Sequence, residues 1–234
     1  PDLDIESYAN PLLQEVAQRL EQEFPATLYQ PGWLRVETLQ VNRGADMWLD
    51  MDGKPAEPAE TQVETWLRLD ENGYVLEDLT FRRATDGSLL SKSLNQGIYH
   101  FELPSGWGGL GQDRWMEKAD LAQKELGTLA GYLSMGGKLL KSSQEVDGNT
   151  YEVYQVTMPL EPPYVLPGDE RLILQQYVAI WFDQSNGKLN RLTGGSILED
   201  GEVFEQFVRS FLAVEPRLEL SPEALEFQRQ VITP

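Results

Sequence analysis

The sequence predicts an α+β fold that is mainly β, with about ten or eleven antiparallel strands in one domain spanning residues 1–234. Turn dipeptides recur at short intervals, at Asn72-Gly73, Asp86-Gly87, Gln96-Gly97, Asp147-Gly148, Asn186-Gly187 and Asp200-Gly201. These residue types adopt φ > 0 readily, as hairpin connections require. The segments between them alternate apolar and polar residues with the period of a strand. Helical spacing is confined to a few stretches, and no composition break or long linker marks a second domain.

The first element is a helix over residues 10–24. Asn10 suits the N-cap and Pro11 the first helical position. Leu12, Leu13, Val16, Ala17 and Leu20 recur on one face, and Pro25 ends the run. Trp33–Val41 is the first strand, followed by a Pro-rich acidic loop over residues 42–60. Strands follow over 63–69, 74–83, 88–94 and 98–103.

The middle reads differently. Residues 105–111, Ser-Gly-Trp-Gly-Gly-Leu-Gly, form a glycine-rich loop. A second helix is expected over 113–133, with Trp115, Ala119, Ala122, Leu126, Leu129, Ala130 and Leu133 at helical spacing. Gly127 and Gly131 weaken it or permit close packing on a sheet.

Strands resume at 138–145 and 151–160, and residues 161–169 bracket a Pro-containing loop. The strand over 171–183 is apolar on both faces and should be covered on both. Strand 188–199 and segment 202–214 follow. The latter fits a helical stripe as well as a strand, and the preceding Asp-Gly turn decides for strand. A short C-terminal helix runs from Ser221 to Gln230.

Composition limits the functions. The 38 acidic and 19 basic residues give a formal charge of −19. That surface repels a phosphate backbone and anionic lipid headgroups alike. The absence of cysteine excludes disulfides and thiolate chemistry, and a single histidine, His100, excludes a multi-histidine metal site within one chain. No apolar run approaches the roughly 18 residues that span a bilayer. The chain opens Pro1-Asp2-Leu3-Asp4 without a methionine, as expected of a processed or trimmed product.

Trp107, Leu110 and Trp115, in and beside the glycine-rich loop, read as a mobile lid over an apolar pocket or as an ordinary connection anchored by its tryptophans. Asp46, Asp50, Asp52 and Gly53 miss the EF-hand spacing by one step, so a solvated acidic loop is the reading there and no metal site is expected. His100 lies in a strand without a nucleophile elbow elsewhere, which favours a structural histidine. The loop at 106–111 lacks a following Lys-Ser/Thr and is no phosphate cradle. A pair among the acidic residues acting in a glycoside hydrolase is a less favoured alternative that no spacing singles out. No cofactor is expected.

One local theme occurs twice. Tyr177-Val178-Ala179-Ile180-Trp181-Phe182-Asp183 is followed by Asn186-Gly187-Lys188-Leu189, Asp200-Gly201 and Phe204. In the first half, Trp66-Leu67-Arg68-Leu69-Asp70 is followed by Asn72-Gly73 and Asp86-Gly87. A strand ending in Asp, then turns with Gly, resembles the lipoprotein-carrier superfamily typified by LolA, LolB, RseB and the LppX-type lipoproteins. The resemblance implies a curved antiparallel sheet, an open half-barrel with helices covering its concave face and acyl chains held between. It implies that Ala122, Leu126, Leu129 and Leu133 of the second helix face Tyr154, Met158, Tyr177 and Trp181 of the sheet across an apolar cavity. The function implied is non-catalytic and extracytoplasmic, periplasmic or at the cell surface, with a lipid or other apolar small molecule as ligand. Membrane attachment would then be through a removed N-terminal lipid anchor. A sensor or envelope-protein interaction module of the same fold, recognising its partner by strand addition, is the alternative.

Overall fold

A computed structural model describes residues 10–42, 59–97, 99–104, 106–110, 117–165 and 171–232. Helix α1, Pro11–Glu23, starts where the Leu12 N–H donates to Asn10 Oδ1 at 3.0 Å. It buries Leu13, Val16 and Leu20, the stripe that its periodicity predicts. A single 3-10 turn, Ala26–Leu28, follows Pro25.

Eleven strands come next or intervene: β1 Gly32–Asn42, β2 Ala59–Leu69, β3 Val75–Ala84, β4 Leu89–Gln96, β5 Tyr99–Leu103, β6 Trp107–Leu110, β7 Lys138–Val146, β8 Asn149–Val165, β9 Leu172–Asp183, β10 Leu189–Leu198 and β11 Val203–Arg217. Helix α2, Leu121–Ser134, separates β6 from β7, and α3, Pro222–Ile232, follows β11. The hydrogen-bonded order is β6-β5-β4-β3-β2-β1-β11-β10-β9-β8-β7, and the registered pairs are antiparallel. In this order β1 and β11 are neighbours, and among the described residues β6 does not pair with β7. The β7–β8 hairpin turns on Asp147 and Gly148, both with φ > 0, as a two-residue connection that matches strand twist demands.

The chain divides into two compact units. The first comprises 1–23, 40–59 and 121–210, and so contains α1, α2, β7–β10 and the start of β11. Antiparallel register fixes which residues share a face. Tyr154, Val156 and Met158 of β8 pair with Ile180, Val178 and Gln176 of β9. Those pair in turn with Leu192, Gly194 and Ser196 of β10. Both helices pack on this face: Arg19 of α1 lies over the Phe182 ring at 4.0 Å, and Glu125 of α2 pairs with Arg209, the partner of Leu192. Tyr154, Val156, Ile180 and Phe182 are completely buried beneath them. Each such side chain withdrawn from water contributes roughly 1.5–3 kcal/mol.

The second unit comprises 24–39, 60–120 and 211–234. Here α3 covers the face of β2–β5 that carries Trp66, Leu79, Phe81 and Leu94. Phe227 enters this cluster, with its ring edge-on to Phe81 at 5.8 Å. Arg35 of β1 bonds Glu64 at 3.0 Å, Glu37 at 2.6 Å and Glu215 at 3.1 Å. On the sheet's other face, Asp78 accepts from Asn95 Nδ2 at 2.7 Å, and Asn95 Oδ1 meets His100 Nδ1 at 2.5 Å. His100 therefore ends a cross-strand polar row.

The structure departs from the sequence expectations in four places. The Trp-Gly segment is a strand rather than a loop: β6 pairs with β5, with Phe101 opposite Gly108. Backbone hydrogen bonds suffice for this, so the segment needs no alternating side-chain pattern. Helix α2 starts at Leu121 instead of 113, because residues 117–119 are tied to the β2–β3 turn: Glu117 O accepts from Val75 N–H, and Ala119 N–H donates to Gly73 O. Strand β8 runs on through Glu161-Pro162-Pro163, and an irregularity between Pro159 and Tyr164 absorbs the prolines. Finally, Gly127 and Gly131 are not close-packing positions, since a Cβ at either would meet nothing within 4 Å.

Close backbone approach occurs instead in β10. A Cβ on Gly194 would overlap the Phe207 ring, and one on Gly195 would overlap the Phe204 carbonyl oxygen. The register shifts between these two glycines. Their small size lets β11 cross β10 with a bulge.

Candidate functional site

The helix-side face of the first unit is the place where an apolar ligand could lie. Its rows are covered unequally. The row through Tyr154, Ile180 and Leu192 is sealed, and in the next row Val156, Val178 and Gly194 are buried while Phe207 is half-buried. Beyond it the row Met158, Gln176, Ser196 and Phe204 is half-buried at three of its four positions. Ser196 is the exception. It is completely buried, and its Oγ has no hydrogen-bond partner among the described residues. A hydroxyl in that state forgoes about 1–3 kcal/mol of solvation or bonding. The row thus offers apolar ends, an amide and an unsatisfied hydroxyl, partly open.

Polar groups on the rest of this face are committed. Arg19 pairs with Glu152 and donates to the Tyr154 hydroxyl at 3.3 Å. Lys141 bonds Glu15 at 2.8 Å and Glu152 at 3.2 Å. The bond to Glu15 is the main reason that the Lys141 ammonium is held above its ordinary pKa, and the Glu15 carboxyl falls below its own. Glu125, 1% exposed, has its carboxyl pushed up by burial, with Arg209 opposing the shift. These groups fasten α1 and α2 to the sheet.

The residues expected to line a cavity fall into three groups. Ala122, Leu126 and Leu129 of α2 are buried, and Leu133, one turn further, is half-buried. Tyr154 and Met158 share the helix-side face, Tyr154 sealed and Met158 half-open. Tyr177 and Trp181 do not join them. They pair with Thr157 and Val153, one residue out of phase with Tyr154 and Met158, and so point to the opposite face. There they form a buried cluster with Val153 and Ala179, flanked by Tyr151, Val146 and Ile197. The expected opposition of Tyr177 and Trp181 to α2 is therefore corrected by strand register. Trp107 and Leu110 contribute backbone to β6. Trp115 lies outside the described residues, as do Asp46, Asp50, Asp52 and Gly53.

Sequence reasoning missed Gln176, Ser196, Phe204 and Phe207 as neighbours of Met158. Which side of β9, β10 and β11 these residues occupy follows only from the pairing registers. Among the described residues, no group of three or more His, Cys, Asp or Glu is placed to hold a metal ion. No described helix is long and apolar enough to cross a membrane.

No family model and no curated protein matches the chain. Solved structures similar to it include the Mycobacterium tuberculosis lipoprotein LppX, at 12% identity and TM-score 0.40, covering 89% of this chain and 99% of that one. Another is a DUF1329 family protein from Desulfovibrio piger, at 11% identity and TM-score 0.36, covering 93% and 97%. A third is a β-barrel-like DUF1849 protein from Brucella abortus, at 10% identity and TM-score 0.24, covering 80% and 99%. LppX belongs to the group that the sequence resembles.

Proposed function

We propose that this chain is a non-catalytic binding protein that holds an apolar chain along the Met158–Gln176–Ser196–Phe204 row, beside the C-terminal half of α2. The observation that carries this reading is the contrast between sealed and half-open rows on one sheet face. A ligand laid there removes the exposed parts of Met158, Phe204 and Phe207 from water, worth roughly 25 cal/mol for each Å². Hydrogen bonding from a polar group of the ligand would satisfy Ser196 Oγ. The same reading places the protein outside the cytoplasm, as the sequence resemblance implies, and fractionation of cells carrying the full-length gene tests that part.

The binding claim is tested with the neutral apolar probe N-phenyl-1-naphthylamine and by native mass spectrometry of freshly purified protein. Saturable probe binding is expected, and Met158→Asp should weaken it by about tenfold, since a carboxylate there would need its own solvation. Absence of both saturable binding and co-purified lipid would sink the reading.

A further inference from the structure

On the opposite face of the same strands, one half-buried arginine stands apart; Arg82 and Arg229, which likewise have no carboxylate within 4.0 Å among the described residues, are exposed. Arg19, Arg35, Arg68, Arg83, Arg171, Arg209 and Arg217 each have a carboxylate within 4.0 Å. Arg191 of β10 is half-buried, like most of these, yet has no carboxylate partner among the described residues. Carboxylates are not scarce in a chain with 38 of them. Its Nε is buried and makes no hydrogen bond.

The surroundings are built rather than loose. The guanidinium lies 4.3 Å from the centre of the Trp181 ring and 6.0 Å from that of Tyr151. Those two rings meet edge to face at 6.0 Å. Trp181 is fixed in turn by its indole N–H, which donates to Thr193 Oγ1 at 3.0 Å. Stacking on an indole leaves the in-plane N–H groups of a guanidinium directed sideways, the geometry that accepts a carboxylate or phosphate through two parallel hydrogen bonds.

Other titratable groups on this face do not fill that role. Burial, followed by the charge of Glu205, pushes the Tyr177 phenol up to about 12, so it stays neutral. Glu205 sits opposite Gly195, four residues along β10 from Arg191, and acts on Tyr177 more strongly than Arg191 does. Asp183, next on this face after Trp181, is engaged by the Ser185 N–H at 2.7 Å and by Asn186 at 3.0 Å.

We propose that Arg191, stacked on Trp181 beside Tyr151, is a binding site for the oxyanion of a small molecule, a carboxylate or a phosphate, whose apolar portion lies against Val146 and Tyr151. The site is independent of the apolar row on the helix side. A surface of charge −19 disfavours diffuse anion accumulation. Anion binding at Arg191 therefore reflects local geometry.

The test follows the side-chain Nε–H resonance of Arg191 and the indole N–H of Trp181 by NMR during titration with octanoate, octyl phosphate, inorganic phosphate and octanol. Saturable movement of both signals with octanoate or octyl phosphate, and little with octanol, is expected. Movement with inorganic phosphate as well would show that the oxyanion alone suffices. Arg191→Gln should abolish it, and Arg191→Lys, which keeps charge but loses the planar fork, should weaken it by about tenfold. Met158→Asp should leave these shifts intact, which separates this site from the apolar row. No saturable movement, equal movement with octanol, or unchanged binding to folded Arg191→Gln protein would overturn the proposal.

Discussion

The two faces of β8, β9 and β10 are built from the same strands and solve the same problem differently. On one, α1 and α2 cover Tyr154, Ile180 and Phe182, and Arg19, Lys141 and Arg209 all have carboxylates. On the other, Tyr151, Val153, Tyr177 and Trp181 cover one another, and Arg191 rests on aromatic faces without a counter-ion among the described residues. Where cations fasten helices to the sheet, the chain supplies its own anions. Arg191 fastens no helix, and that is the physical ground for expecting its anion from outside.

Both faces depend most on the close crossing of β10 and β11. Gly195→Ala places a Cβ against the Phe204 carbonyl oxygen, a backbone atom that cannot swing aside. Urea unfolding should show a loss of about 3 kcal/mol or more; a variant as stable as the parent would show that the bulge is absent in solution.

Next comes the Glu125–Arg209 pair. Arg209→Met strands a buried carboxylate, and the expected loss is about 2–3 kcal/mol, discounted because the arginine is partly exposed. Adding Glu125→Leu should restore most of it. If the double variant is no better than the single one, the carboxylate was not the source of the loss.

Glu125 also gives the helix-side face a pH signature. Its carboxyl is raised in the folded state from 4.5, so protonation favours folding. Its contribution is complete below the unfolded pKa and is lost as pH rises through the folded one. Glu15 and Glu215, both lowered, have the opposite sign: their stabilisation is present above 4.5 and lost as pH falls. Glu125→Gln should therefore remove a decline in stability that begins above pH 4.5, while leaving acid unfolding in place. Identical pH profiles for parent and variant would contradict the burial of Glu125.

The smallest effect expected is a gain. Gly127→Ala and Gly131→Ala each add a methyl where nothing lies within 4 Å, and each should stabilise α2 by roughly 1 kcal/mol. A loss at either position would mean that a close neighbour exists there after all.

Element order was legible in the sequence because local signals specify it. The cap at Asn10 placed α1, and the Asp200-Gly201 turn settled β11 as a strand against its helical stripe. The segment at Trp107–Leu110 was misread, since an edge strand held by backbone bonds leaves little trace in side-chain pattern. The candidate site was less legible still. β9 is apolar on both faces, so its own pattern does not say which side packs on the helices; whether Tyr177 shares a face with Tyr154 depends on the register between β8 and β9, and a one-residue difference sends Tyr177 and Trp181 to the other side. Arg191 carried no signal at all, because a missing counter-ion emerges only from contacts across distant strands.

Five methionines make the central claim directly measurable. With 13C-methyl-methionine protein, titration with a neutral alkyl ligand such as dodecanol should move the Met158 signal saturably. Met135, 59% exposed just past α2, should stay in place. A Met158 signal that does not move, or that moves no more than that of Met135, would contradict an apolar ligand along the half-open row.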